Sequence, residues 1–181
     1  MPMTDDIKAR LMKIKAVAMD IDGVLTDGGL IPLSDGDLLR RFDAKDSFAI
    51  RAAAGKGYAT GIMSGGDTEA LHLRCLSLKI KEENIHLGCR GKLKHLMSFC
   101  ETNGVEPSEV MYFGDDIPDI PVLRACGLGI APADAVDEVK EAADYVSEYP
   151  GGHRCVRNAI ETMMKAQGTW VYDESCYDKI Y

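Results

Sequence analysis

Two aspartates that follow a short apolar run are the residues of this chain whose types and spacing best suit catalysis. Asp20 comes directly after the apolar residues 17–19, and Asp22 follows two positions later. Buried strands that end in this way direct their last polar side chains to the carboxyl edge of a parallel sheet. Two carboxylates at this spacing repel each other unless a cation lies between them. Because no His or Cys is nearby, the pair indicates a hard divalent ion such as Mg²⁺, and the alternative is a strand-to-turn corner with solvated aspartates.

Three further aspartates follow another apolar run, at residues 110–113. Asp115, Asp116 and Asp119 come after a glycine at the end of this run. A helix cap explains one such aspartate, whereas three at this spacing favour a metal site. Because the carboxyl ends of parallel strands meet at one edge of a sheet, we expect these side chains to lie near Asp20.

A carboxylate beside bound Mg²⁺ suits phosphoryl transfer. Asp20 is the candidate nucleophile, which would form an aspartyl-phosphate that water later hydrolyses. Asp22 is the candidate general acid and base, which would protonate the leaving oxygen and then activate water. The metal ligands expected are Asp20, Asp115 and the backbone carbonyl of Asp22.

A serine and two glycines after residues 58–63 are candidate phosphate ligands. The hydroxyl of Ser64 and the backbone N–H of Gly65, at a strand-to-helix junction, can hold phosphate oxygens. Ser64, Gly65 and Gly66 are equally compatible with a plain turn. Lys92 would offset the clustered negative charge, although a lysine at a predicted helix start is also typical of a solvated surface.

The apolar runs alternate with helical patterns, which is typical of an α/β fold. The pattern predicts a three-layer, Rossmann-like parallel sheet with helices on both faces and a β-hairpin after the first strand. Asp67 is the predicted N-cap of the helix after Ser64. The predicted strands cover residues 14–20, 58–63, 85–87, 110–113, 128–131 and 145–146, the hairpin residues 28–43, and the helices residues 47–56, 68–77, 92–102 and 153–166.

Composition limits the function classes. At 181 residues and 19.7 kDa, we expect one domain over residues 1–181. A net charge of −8 and a pI near 5.0 argue against nonspecific nucleic-acid binding. Apolar runs of strand length and a polar N-terminus predict neither a membrane span nor a signal peptide. The scattered cysteines favour reduced thiols in the cytoplasm over disulfides or zinc; they are Cys75, Cys89, Cys100, Cys126, Cys155 and Cys176.

The order and spacing of the polar groups resemble the four motifs of haloacid dehalogenase-type phosphatases. This resemblance extends over residues 14–166 and implies the Mg²⁺-dependent chemistry given above, with Asp116 and Asp119 supporting the metal site. The intervals between motifs hold only a hairpin and a helix, or a helix and a short strand, so the resemblance is to capless members. The matching segments are residues 20–27, Ser64-Gly65, Lys92 and residues 114–119.

Within that superfamily the chain resembles the small capless family that hydrolyses 3-deoxy-D-manno-octulosonate 8-phosphate (KDO 8-phosphate) on the route to lipopolysaccharide. The shared features are residues 43–51, Arg74, and a Gly151-Gly152 pair followed by Arg157. The resemblance implies a homotetramer in which the hairpins at residues 28–43 pack together and a neighbouring subunit closes the open site.

The same resemblance implies residues that bind the sugar acid. Such a substrate joins a phosphate dianion to a carboxylate, which suits the bidentate guanidinium of arginine. Two departures concern this region, since Gly66 stands where many members have Arg, and His153-Arg154 stand where Arg-Gly is usual. The candidate substrate contacts are Asp43, Lys45, Asp46, Ser47, Arg51, Gly66 and Arg74.

Three other functions share part of the pattern. Phosphatases of nine-carbon sialic-type sugar acids use the same chemistry, but they carry a Glu at the position of Gly66 and a Lys near Ser77. Signalling receiver domains place the paired acids and the phosphorylated Asp on different strands. Noncatalytic tetramerisation domains lose motif residues, whereas this chain keeps Asp20, Asp22, Lys92 and Asp115.

Three variants would test these expectations. Asp20→Asn and Asp22→Asn are each expected to abolish turnover while leaving folding and assembly intact. Removal of residues 168–181 is expected to change substrate affinity more than stability, if that tail reaches a neighbouring site.

Overall fold

A computed structural model describes residues 4–170, and its centre is a parallel sheet of six strands. The order of the strands across the sheet is β5-β4-β1-β6-β7-β8, and all the pairings between them are parallel. A separate antiparallel hairpin joins β2 and β3. The strands are β1 (Ala16–Met19), β2 (Ile31–Pro32), β3 (Leu38–Leu39), β4 (Ala59–Met63), β5 (Ile85–His86), β6 (Val110–Phe113), β7 (Leu128–Ala131) and β8 (Tyr145–Val146).

The central strands are continuous apolar runs because helices cover both faces of the sheet. Every residue of β1, β6 and β7 is buried. Met19, the last residue of β1, pairs with Ile62 on one side and with Phe113 on the other. The chain passes from β1 to β4 and later crosses to β6 on the other side of β1, so β1 ends at the switch point of this sheet, where α/β folds bind ligands.

Seven helices lie in the described part of the chain. The predicted helices are present with ends shifted by a few residues, and the short helices α1, α5 and α6 are additional to the prediction. The helix bounds are α1 (Asp5–Leu11), α2 (Ala44–Gly55), α3 (Glu69–Ser77), α4 (Lys92–Asn103), α5 (Ile120–Ala125), α6 (Asp137–Ala142) and α7 (Cys155–Ala166).

The N-cap of α3 was predicted incorrectly. Thr68, not Asp67, precedes the first helical residue, and its hydroxyl accepts a hydrogen bond from the N–H of Leu71. Both residue types are good caps. The sequence alone therefore does not decide which of two adjacent candidates has the extended backbone that a cap requires.

The sheet separates two apolar clusters, which confirms the three-layer prediction. Along β1, Val17 and Met19 face a cluster formed with α1, α2, α3 and α7. Ala16 and Ala18 face the other cluster, formed with α4, α5 and α6. The alternation follows from the period of two in a strand. Among the described helices, none is both long and apolar enough to cross a membrane.

The hairpin that follows β1 is confirmed, and it presents apolar side chains to solvent. Leu30, Ile31, Leu33 and Leu39 are between 44% and 60% exposed. After β3, an isolated antiparallel β-bridge between Thr26 and Phe42 joins the end of the hairpin to the loop after β1. The hairpin therefore lies beside the carboxyl edge of the sheet.

Candidate active site

Asp20 is the first residue after β1 and is buried at the carboxyl edge of the sheet. The N–H of Ile21 donates to Oδ1 of Asp20 at 2.6 Å, and Nζ of Lys92 donates to Oδ2 at 2.5 Å. Gly23 follows with φ +82°, and a Cβ at this position would overlap the carboxylate of Asp115. A glycine is therefore required for the loop after β1 to approach the loop after β6.

Lys92 is buried and bridges two carboxylates. Its ammonium donates to Asp20 and, at 2.7 Å, to Oδ1 of Asp119. Its side chain is only 5% exposed, which rules out the solvated-lysine alternative. Although burial opposes the charge, Asp20 and Asp119 raise the pKa of Lys92 above its usual value. Lys92 therefore remains a cation in the pocket.

Asp119 holds this lysine in place and is itself held by β6 and by the loop after it. The hydroxyl of Tyr112, on β6, donates to Oδ1 of Asp119 at 2.6 Å. The backbone N–H groups of Asp115 and Asp116 point to the other carboxylate oxygen, at 3.2 and 3.4 Å. Asp119 was predicted to support the metal site, and the contacts show that it also orients Lys92.

Carboxylate oxygens of Asp20, Asp115 and Asp119 lie within 4.8 Å of one another. Oδ1 of Asp115 is buried and receives no hydrogen bond. Burial, then Asp20 and Asp119, raises the pKa of Asp115 to about 7, and burial likewise raises the pKa of Asp20 to about 6. Crowded carboxylates with an unmatched buried oxygen fit an oxygen-ligated divalent cation such as Mg²⁺, which would neutralise them.

The predicted ligands Asp20 and Asp115 lie in this cluster and stay a prediction. Asp119 lies in it too, but most of its oxygen positions are already used by hydrogen bonds. The proposed role of the Asp22 carbonyl stays a prediction. The side chain of Asp22 points elsewhere, as described below.

Ser64 is the first residue after β4 and is buried beside the same pocket. Its Oγ accepts a hydrogen bond from the N–H of Gly66 at 3.2 Å. Gly65 is exposed, and a Cβ there would meet nothing within 4 Å. A turn in which a hydroxyl and an open backbone face the acidic pocket can hold phosphate oxygens.

One cavity of about 400 Å³ brings together all the predicted catalytic, metal and phosphate-binding residues. It lies at the carboxyl edge of the sheet, outside the end of β1. Cys89 also lines it, and burial raises the pKa of this thiol to about 11, so it is neutral in the pocket. The predicted residues that line the cavity are Asp20, Asp22, Ser64, Gly65, Gly66, Lys92, Asp115, Asp116 and Asp119.

Arg40 is a site residue that the sequence reasoning missed. Its Nε donates to Oδ1 of Asp22 at 2.8 Å, and its Nη2 donates to Oδ2 at 3.1 Å. The Arg40 side chain is 5% exposed, although the residue belongs to the end of a hairpin. Nothing in the sequence distinguishes Arg40 from Arg41, whose side chain is 70% exposed.

Two of the predicted sugar contacts, Asp43 and Asp46, have structural roles. Asp43 is the N-cap of α2 and accepts from the N–H groups of Lys45 and Asp46. Asp46 is buried, and its carboxylate accepts the N–H groups of Arg154 and Arg157 where α7 begins. These carboxylates stabilise helix ends, and their assignment as substrate contacts stays a prediction.

The remaining candidates lie on α2 and α3, outside the cavity; they are Lys45, Ser47, Arg51 and Arg74. Lys45 is exposed. Arg74 donates to the hydroxyl of Ser47 and lies 4.9 Å from the centre of the Phe42 ring. Burial, and then the charge of Arg51, lowers the pKa of Arg74. Of the predicted sugar contacts, only Gly66 lines the cavity within residues 4–170.

The glycine-rich segment packs against the loop that carries Asp22. The N–H of Gly152 donates to the carbonyl of Val24 at 2.9 Å. A Cβ on Gly151 would overlap the carbonyl of Gly23, and a Cβ on Gly152 would overlap the backbone of Thr26. The two glycines therefore allow a close approach that fixes the catalytic loop.

The aromatic tail is described only as far as Trp170. Its ring meets that of Phe48 edge-on, with centroids 6.1 Å apart, and the guanidinium of Arg157 lies 4.8 Å from its centre. Trp170 is thus part of local packing on α2 and α7. The prediction that the tail reaches a substrate concerns mainly residues 171–181, which lie outside the described residues.

Comparisons with known proteins agree with this geometry. Residues 76–152 match the family model of haloacid dehalogenase-like hydrolases. A 3-deoxy-D-manno-octulosonate 8-phosphate phosphatase of Escherichia coli K12 is 32% identical over 167 residues, which covers 92% of this chain and 88% of the relative. The corresponding Haemophilus influenzae enzyme is 33% identical over 162 residues, covering 90% and 89%.

Two solved structures of phosphatases with this name are similar to the chain in fold and sequence. The phosphatase of that name from Moraxella catarrhalis, in complex with a magnesium ion, a phosphate ion and a KDO molecule, has a TM-score of 0.87 and 30% identity. The match covers 93% of this chain and 95% of that one. The phosphatase from Yersinia pestis has a TM-score of 0.89 and 30% identity, covering 93% and 90%.

A buried aspartate after the central strand, with a serine turn, a buried lysine and an acidic loop at the same edge of a parallel sheet, defines the class of haloacid dehalogenase-like hydrolases. Within this class, the chain belongs to the 3-deoxy-D-manno-octulosonate 8-phosphate phosphatase family.

Proposed function

We propose that this chain is a Mg²⁺-dependent phosphatase that hydrolyses KDO 8-phosphate to KDO and phosphate, a step in lipopolysaccharide biosynthesis. The observation that carries the proposal is the position of Asp20, buried between Lys92 and the acidic cluster and facing the Ser64 turn. The Moraxella relative, solved with magnesium, phosphate and KDO, supports the choice of substrate.

The reaction proceeds in two steps through an aspartyl-phosphate. A carboxylate oxygen of Asp20 attacks phosphorus while the bond from phosphorus to the sugar oxygen breaks, and Asp22 gives that oxygen a proton. Water then attacks the phosphorus of the acyl phosphate and loses its proton to Asp22, which frees Asp20 and releases phosphate. When bound, Mg²⁺ neutralises charge on the carboxylates and the phosphoryl group.

In this proposal the phosphate group is bound by Ser64, Gly65 and Lys92. The Ser64 hydroxyl and the N–H of Gly65 hold equatorial oxygens, and Lys92 offsets their charge. Asp119 keeps Lys92 aimed at the reacting centre through the 2.7 Å contact. The metal ligands would be Asp20 and Asp115, with the carbonyl of Asp22.

Recognition of the sugar acid is assigned to basic residues outside the cavity of the single chain. Arg74 and Arg51 lie close enough for the charge of one to lower the pKa of the other, and this pair suits a carboxylate. Lys45 is exposed on the same helix as Arg51. In this proposal they bind substrate where subunits meet.

We further propose a homotetramer assembled through the hairpin β2–β3. Two-stranded hairpins are marginal alone, and this one exposes Ile31 and Leu39 at 60% and 54%. Leu39→Asp should lower the molar mass measured by light scattering to that of a smaller assembly. Leu73→Asp, at a 56% exposed leucine on α3, is the matched control. An unchanged mass for Leu39→Asp would contradict assembly through the hairpin.

We place the reaction in the cytoplasm, within one domain that covers residues 1–181. The five cysteines of the described region are free, which is compatible with a reducing compartment.

Phosphate release is the test of the proposed function. KDO 8-phosphate, a nine-carbon sialic-type 9-phosphate and a hexose 6-phosphate are compared with Mg²⁺ and with EDTA. The expected result is a strong preference for the first, lost in EDTA and in Asp20→Asn. Equal turnover of all three would leave a general phosphatase, and no turnover of any would favour a noncatalytic assembly domain.

A further inference from the structure

Arg40 joins the hairpin to the candidate acid and base of the reaction. It immediately follows β3, and its Nη1 donates to the carbonyl of Leu38 at 3.1 Å. Its remaining donors form a two-pronged pair with Asp22, in which each carboxylate oxygen receives one N–H. A fork of this kind fixes both the distance and the plane of a carboxylate.

Asp22 has little else to hold it. Its side chain is 27% exposed, and its other hydrogen-bond contact is with Oγ1 of Thr26, at the long distance of 3.5 Å. It is the third residue after β1, and within the described residues it is not part of the cluster that Asp20 forms with the other acids. The orientation of Asp22 is therefore set chiefly by Arg40.

The local backbone delivers Arg40 to this position. The bridge between Thr26 and Phe42 aligns the end of the hairpin with the loop after β1. On the other side, Nη2 of Arg40 lies 3.4 Å from the point that a Cβ on Gly66 would occupy. The guanidinium thus lies between Asp22 and the turn proposed to bind phosphate, and the absence of a side chain at Gly66 leaves space for it.

We propose that Arg40 is a positioning residue for Asp22: its fork holds the ionised carboxylate away from the metal cluster, and one prong opens when Asp22 takes up the proton that it then gives to the leaving oxygen of the substrate. Protonation of that oxygen then depends on the position of the hairpin, because the hairpin carries Arg40. The proposal rests on the function proposed above, in which Asp22 is the acid and base.

The test compares two leaving groups. The sugar alkoxide released from KDO 8-phosphate needs a proton, whereas p-nitrophenolate leaves p-nitrophenyl phosphate without one. Single-turnover experiments with enzyme in excess report only this first step. In Arg40→Gln and Arg40→Lys, we expect the rate constant for sugar release to fall about tenfold or more. The rate constant for nitrophenolate release should change less than about threefold.

The two variants separate charge from geometry, since Arg40→Lys keeps the charge and loses the fork. Arg41→Gln is the matched control, because Arg41 is the next residue and pairs with the exposed Asp27 instead. We expect both rate constants of Arg41→Gln to equal those of the unmodified chain. Thermal unfolding and light scattering of each variant show whether fold and assembly persist.

Three results would overturn the proposal. If the rate constants for both substrates fell by the same factor in a folded variant, Arg40 would have a purely structural role. If only the dependence of the rate on substrate concentration changed, Arg40 would act in substrate binding. If neither rate constant changed, Arg40 would have no role in the reaction. Failure of the proposed function looks different, because the unmodified chain would then show no preference for KDO 8-phosphate, or no release of KDO from it, in the presence of Mg²⁺.

Discussion

Two regions of this protein each hold an aspartate whose pKa is raised by burial, but the surroundings of the two aspartates differ. At the beginning of α7, burial raises the pKa of Asp46 to about 6, and its oxygens accept two backbone N–H groups. At the edge of the sheet, the pKa of Asp115 is raised to about 7, and its buried Oδ1 receives no hydrogen bond and faces other acids.

The difference teaches how to distinguish a structural carboxylate from a functional one. Burial alone raises the pKa of both, so a shifted pKa does not identify an active site. Asp46 has donors that satisfy it within the fold. Asp115 lies among like charges and has a buried oxygen without a donor, which a bound cation would satisfy.

The largest expected effect sharpens this contrast. Asp20→Asn removes the nucleophile and one of the crowded charges, so phosphate release should fall about 10⁴-fold or more. The temperature of unfolding should be unchanged or higher, because repulsion with Asp115 and Asp119 is relieved. Both are measured on the same preparation, by phosphate release and by calorimetry. Retained turnover would refute the assigned nucleophile.

A smaller effect concerns pH and metal. In EDTA, the unfolded chain loses carboxyl protons near the ordinary pKa of 3.8, while folded Asp20 and Asp115 keep theirs to about pH 6 and 7. The free energy of unfolding should therefore fall as pH rises from about 4 to about 7. Mg²⁺ at a hundredfold excess over its Kd should restore about 2.7 kcal/mol at neutral pH.

Asp46 titrates in the same window, and its contribution provides the internal control for the metal effect. Because the carboxylate of Asp46 already accepts backbone N–H groups, Mg²⁺ should not change the contribution of Asp46 to the pH dependence of the free energy of unfolding. Asp115→Asn should lose the response of unfolding to Mg²⁺ and keep the part due to Asp46. A full response to Mg²⁺ in Asp115→Asn would contradict the metal assignment.

The smallest effect is expected at the structural carboxylate. Asp46→Ala removes the acceptor for two N–H groups of α7 and should lower the free energy of unfolding by about 1–2 kcal/mol. The kcat of the folded variant should be retained, because Asp46 lies outside the cavity. Denaturant unfolding and steady-state kinetics check the two parts. A loss of kcat with unchanged stability would return Asp46 to the substrate contacts.

Residues next to strand ends could be predicted from the sequence, whereas residues on helices and hairpins could not. Asp20, Ser64 and Asp115 follow apolar runs, and parallel strands bring their carboxyl ends together whatever the details of packing. Asp43 and Asp46 fit a family pattern for sugar contacts, yet their carboxylates cap α2 and α7. Capping depends on which helix end lies opposite, a contact between positions more than a hundred residues apart for Asp46.

The sequence by itself determined the alternation of strands and helices in a parallel sheet, the hairpin after β1, and the acids, serine and lysine of the pocket, because local periodicity and strand ends encode them. Only the tertiary structure decided that Arg40, rather than Arg41, meets Asp22. It also decided that Asp119 orients Lys92, and that Gly151 and Gly152 press against the catalytic loop. These contacts join segments distant in the chain, and their choice depends on the packing of the folded protein.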